Sequence, residues 1–167
     1  MKNNTRKLTC LALTVSFAMV LSYIESRIPA FVAIPGIKVG LANIAVIFAL
    51  YKLGTREAVV VSILRVMIVS MLFGSVASLI YSVAGAVLSL SVMILLKKLT
   101  PLSEVTISVF GGVMHNVGQI VAASFMLSTN VVVYYLPFLL ISGTLAGIAI
   151  GVASALLIKR IPIKSFY

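Results

Sequence analysis

Six apolar runs separated by breaks of a few residues limit what this chain can fold into. They cover roughly residues 8–24, 39–53, 57–73, 76–96, 105–127 and 136–158. Most approach or exceed the ~20 residues with which a helix crosses the ~30 Å hydrocarbon core of a bilayer. Backbone groups in lipid must be satisfied within their own segment, which leaves helices as the form for such runs. The second run is the shortest, since about 15 residues at ~1.5 Å each reach only ~22 Å. With 62% hydrophobic and 10% charged residues, the chain falls outside the soluble range, where about a quarter of residues are charged. The expectation is an all-α integral membrane protein: six transmembrane helices forming one domain over residues 1–167. Short connections and the lack of a low-complexity tract support one compact bundle.

Charge orients it. There are 13 Lys and Arg against 3 acidic residues, all Glu. With both termini inside, Lys2, Arg6, Lys7, Lys52, Arg56, Lys97, Lys98, Lys159, Arg160 and Lys164 fall on the inner side. Arg27 and Lys38 fall outside, and Arg65 lies within a span. This bias predicts an even number of spans with cytoplasmic termini, in a bacterial-type cytoplasmic membrane. The basic residues are spread over short loops, so they indicate lipid headgroups and not nucleic acid. The start, Lys2, Arg6 and Lys7 before an apolar run, has the look of a secretory signal. No A-x-A cleavage site follows Leu21, which makes it a first span.

Small residues mark faces that pack. Gly143, Gly147 and Gly151 form a double GxxxG in the last run, and Ser78, Ser82, Gly85 and Ser89 form a stripe in the fourth. Ala12 and Ser16 are a shorter pair in the first. Such ridges let helix backbones approach closely, within the bundle or against another protein. Cys10 has no second cysteine and reads as a packing residue.

The polar residues inside the spans are expensive. Ser108, Gly112, His115 and Gln119 share a face of the fifth run, and Asn116 adjoins them. Their polar atoms need partners on neighbouring helices or in a wet cavity. The face is therefore interhelical glue or a ligand pocket. Arg65, near the centre of the third run, costs roughly 2.5–3.5 kcal/mol to insert without compensation. Its partner is Glu25 reaching inward, a set of carbonyls and hydroxyls, or an anionic ligand.

The stretch "PGIKVGLAN", residues 35–43, interrupts the oil with Pro35, Gly36, Lys38, Gly40 and Asn43. Pro29 and Pro35 stop helix formation, and the glycines permit unusual backbone geometry. A constrained outer loop folded over the bundle brings Lys38 and Asn43 toward the polar face. With Arg65, His115, Asn116 and Gln119 they make up a candidate pocket for a small polar or anionic ligand, with Tyr81, Tyr134 and Tyr135 as wall or interfacial anchors. Catalysis has little support: no Asp-rich pair for Mg²⁺, no metal-ligating cluster and no phosphate loop for ATP. No cofactor or metal is expected.

The segments "IPGIKVGLANI", "ILRVMIVSMLFGS", "YSVAGAVLSLSVM", "GGVMHNVGQIVAAS" and "YYLPFLLISGTLAG" together resemble the Gx transporter family, also labelled heptaprenyl diphosphate synthase component I. The resemblance runs in order from about residue 10 to 155. It implies a six-helix protein similar to the substrate-binding S components of energy-coupling-factor (ECF) transporters. By that resemblance Lys38, Asn43, Arg65, His115, Asn116 and Gln119 line the substrate site. Ala12 and Ser16 correspond to the surface that meets a transmembrane coupling subunit, which works with ATPase subunits. Prenyl diphosphate synthases use Asp-rich Mg²⁺ sites, and this chain has no Asp. The family's second label therefore fits an accessory role beside a soluble prenyltransferase, in polyprenyl diphosphate or menaquinone synthesis, better than chain elongation here. A subunit of a membrane redox pathway is a third reading. The leading expectation is substrate capture for uptake, with the accessory role as its alternative.

Overall fold

The computed structural model describes residues 2–27, 40–73, 76–129 and 131–161. Six α-helices follow in order: α1 (Lys2–Arg27), α2 (Asn43–Lys52), α3 (Thr55–Phe73), α4 (Val76–Leu99), α5 (Glu104–Leu127) and α6 (Leu136–Arg160). A 3-10 turn, Val131–Tyr135, precedes the last. Each helix falls on one of the six apolar runs, and the all-α bundle is the expected fold. Four of these segments, α1, α4, α5 and α6, are long and apolar enough to cross a membrane.

The second run needs correction. The expected span over 39–53 contracts to a helix of 10 residues, ~15 Å long, half of what a bilayer core requires. The cause is local. Gly40 adopts a positive φ of 81°, and its carbonyl accepts the Asn43 N–H at 2.8 Å, so a turn takes up the residues before the helix. Compensation comes from position. Ala45, Val46, Ile47, Phe48, Ala49 and Leu50 are all buried, because α2 packs against α1, α3 and α6. A helix apolar on every side belongs inside a bundle.

Most of the basic residues gather at one end, with Arg27 and Arg65 away from it. Lys7 Nζ lies 2.5 Å from Glu57 Oε1, joining the start of α1 to the start of α3. Lys97 Nζ donates to the Leu50 carbonyl at 2.5 Å and sits 4.7 Å from the centroid of the Tyr51 ring. That satisfies an orphan carbonyl at the end of α2. Gly54, with φ 128°, turns the chain directly from α2 into α3. Helices α5 and α6 share the densest interface, with α4 and α5 close behind. Glycine is the reason. A Cβ on Gly112 would lie 2.6 Å from the Gly143 carbonyl oxygen, and one on Gly147 2.6 Å from Val109 Cα. A Cβ on Gly151 would meet Val105 Cα at 2.7 Å. The double GxxxG thus packs within the chain, against α5.

Candidate functional site

The six expected site residues occupy separate environments. Lys38 lies outside the described residues, as do Pro29, Pro35 and Gly36. Arg65, Asn43, His115 and Asn116 stand at similar depth, and Gln119 lies about one turn further along α5. At ~1.5 Å per residue, Arg65 is about 12 Å above Glu57, Asn43 about 14 Å above Lys52 and His115 about 16 Å above Glu104.

Arg65 belongs to a clamp. Its side chain is buried on α3, and the charged group acting on it is Glu25 of α1. The Glu25 carboxylate also accepts the backbone N–H of Gly40, just before α2. Of the three partners the sequence left open, Glu25 is the one whose charge acts on Arg65, through space. Arg65 Nε is buried with no hydrogen-bond partner.

Asn43 faces the opposite way. It lines a void of about 10 Å³ with Ser89, Met93, Ser108, Gly112 and Ile150, which is near the threshold for a single water. His115 and Gln119 pack on α4. A Cβ on Gly85 would lie 2.8 Å from the His115 carbonyl oxygen and 2.9 Å from Gln119 Cγ. Asn116 is directed to α6, where Nδ2 donates to the Leu139 carbonyl at 2.7 Å. The α5 polar face thus splits between two neighbours. Tyr134 is 85% exposed on the 3-10 turn, the position of an interfacial anchor.

The two small-residue pairings behave differently as well. Gly143, Gly147 and Gly151 are buried, whereas Ala12 and Ser16 are exposed on α1.

A larger cavity lies where the sequence raised no expectation. Between α3 and α4 runs an apolar groove of about 300 Å³. Its floor is Ser62, Val66, Ala86 and Leu90, each under a tenth exposed. Its walls, Ile63, Met67, Val83 and Val87, are open to the surroundings. It stretches from Val59 to Met67 on one side and from Val83 to Ile94 on the other, ~12–16 Å, about half the bilayer core. The lining residues nearest the basic end, Val59 and Ile94, are followed along the same helix faces by Arg56 and Lys98. Both cations are exposed.

A family model described as heptaprenyl diphosphate synthase component I matches residues 14–157. The chain belongs to that family. No curated protein and no solved structure matches it. The heptaprenyl diphosphate synthase component I match contains the Glu25–Arg65 clamp, the α5 polar face and the whole α3–α4 groove, together with Arg56 and Lys98. The groove could be found in the sequence only as stripes at helical spacing: 59, 62, 63, 66 and 67 on α3, and 83, 86, 87, 90 and 94 on α4. In helices apolar on every side, such stripes look the same as lipid-facing surface.

Proposed function

We propose that this protein is a membrane-embedded accessory subunit of polyprenyl diphosphate synthesis, holding an isoprenoid lipid beside a separate subunit that carries out the chemistry. The observation that carries this reading is the α3–α4 groove. It is apolar, opens sideways to the lipid phase, and ends at the basic face of the bundle. A water-soluble metabolite finds few polar partners on such walls, whereas they fit the part of an isoprenoid chain that matches their ~12–16 Å length, held by packing contacts. Family membership names the same chemistry. Chain elongation belongs to the partner, because this chain has no Asp and only three Glu, two of them already engaged. Glu57 pairs with Lys7, and Glu25 holds Gly40 and acts through space on Arg65. The test is gentle purification from the native membrane followed by native mass spectrometry. An isoprenoid lipid and a prenyltransferase subunit are the expected companions; a polar metabolite together with ATPase subunits contradicts the proposal.

One observation favours the uptake reading. The exposed pair Ala12 and Ser16 leaves a close-approach surface on α1 facing outward, suited to another membrane helix. On this reading a coupling subunit docks there, and Asn43 contributes to the ligand site. Val at Ala12 would then abolish co-purification of the coupling subunit. Unchanged recovery of that subunit removes α1 as the docking surface.

A further inference from the structure

The groove has polarity as well as shape. Its interior is aliphatic apart from Ser62 and Ser91, so it offers an anion nothing along most of its length. At the basic end the chemistry changes within one helical turn. Arg56 precedes Val59 by three residues and Lys98 follows Ile94 by four, separations that place each cation on the groove side of its helix. Several other cations at this end already have work. Lys7 is paired with Glu57 at 2.5 Å, and Lys97 caps α2 through Leu50 at 2.5 Å. Arg56 and Lys98 make no hydrogen bond or ion pair among the described residues; Arg56 acts on Glu57 only through space. Two exposed cations on opposite sides of an apolar slot suit an amphiphile with one chain and a compact, multiply charged head.

We infer that Arg56 and Lys98 form the headgroup subsite of the groove, binding the diphosphate of a polyprenyl diphosphate whose chain lies between α3 and α4. This rests on the isoprenoid reading above and adds the position and direction of the ligand. The guanidinium supplies paired N–H donors matched to phosphate oxygens, and the ammonium supplies a second charge. The chain runs away from the basic end, so the diphosphate stays at the aqueous surface, within reach of a soluble enzyme. An ordinary two-chain phospholipid places only one of its chains in a single slot and brings a less highly charged head.

The experiment is titration of the full-length protein in nanodiscs of neutral lipid, using farnesyl diphosphate and, in parallel, farnesol, which has the same chain without the diphosphate. The Arg56→Gln/Lys98→Gln variant should lose roughly tenfold or more in affinity for farnesyl diphosphate and bind farnesol as the parent does. Lys159→Gln, a basic change away from the groove, should match the parent for both. Diphosphate binding by the parent should also weaken with added salt. If the double variant binds farnesyl diphosphate as well as the parent, the headgroup subsite is wrong while the groove survives. Phosphatidylglycerol competing as strongly as farnesyl diphosphate would make the slot an ordinary lipid site and overturn the assignment. Failure of the parent to bind either prenyl compound would overturn the isoprenoid reading itself.

Discussion

The carboxylate of Glu25, in the last turn of α1, accepts the backbone N–H of Gly40 and acts through space on the guanidinium of Arg65 on α3. One acidic side chain therefore links the end of α1 to the turn before the short α2 and bears on a buried cation of α3. The Gly40 contact ties down the turn leading into a helix that is otherwise held by its packing on α1, α3 and α6. Arg65→Met and Glu25→Gln should each destabilise the purified protein by about 1–3 kcal/mol, since each leaves a charge in poor surroundings. The double variant should cost less than the sum of the two. Thermal unfolding of the four proteins in detergent checks this, and strict additivity would mean the two groups do not act on each other.

Close packing of α5 on α6 makes a second prediction. Gly147→Ala places a methyl 2.6 Å from Val109 Cα, a backbone atom that cannot rotate away. The helices must separate, at a cost of ~1–3 kcal/mol. Ala12→Val, on the exposed side of α1, should change the stability of the isolated protein by less than ~0.5 kcal/mol. Unfolding midpoints that fall equally for both would contradict the assignment of one stripe to internal packing and the other to an outward surface.

Asn116 tests the division of the α5 polar face. Its amide spans to the Leu139 carbonyl at 2.7 Å, an interhelical bond worth ~0.6–2 kcal/mol in membrane proteins. Asn116→Leu should lower stability by that amount and leave farnesyl diphosphate binding unchanged. Loss of binding with stability intact would return Asn116 to a ligand-contacting role.

The end of α2 offers a fourth stability test. Lys97→Met removes the donor to Leu50 and the cation above Tyr51 while keeping most of the apolar stem. A loss of ~1–3 kcal/mol is expected, because a hydrogen bond from a charged donor is removed. Amide exchange should accelerate in α2 before the other helices. Uniform exchange across the bundle would show that Lys97 does not hold α2 in place.

Much of the bundle was legible because its signals are local. Six apolar runs became six helices, and glycines at four-residue spacing became a helix contact. The length of α2 was less so, since residues 39 to 53 are mostly apolar and only the positive φ of Gly40 shows where the turn before the helix begins. The proposed six-residue pocket divided for a geometric reason. Neighbours on a helix point ~100° apart, so His115 packs on α4 while Asn116 reaches α6. Arg65 was recognisable as a buried cation needing compensation, but Glu25 lies 40 positions earlier, and only the packing of α1 on α3 brings the two together. The groove was invisible. Ala86 and Leu90 are the same residue types on its floor as they would be against lipid, and the looser approach of α3 to α4 is a property of the assembled bundle.

The most direct measurement of the central claim is native mass spectrometry of the protein with farnesyl diphosphate, comparing the parent with Ala86→Phe. Ala86 is in the groove floor and 9% exposed, so a phenyl ring there fills the slot from within. Val87→Trp, which narrows the slot from its exposed wall, guards against misfolding of the first variant. The prediction is a one-to-one complex with the parent, lost in both variants while their unfolding midpoints stay near that of the parent. Folded variants that bind farnesyl diphosphate as the parent does would show that the isoprenoid chain does not lie between α3 and α4.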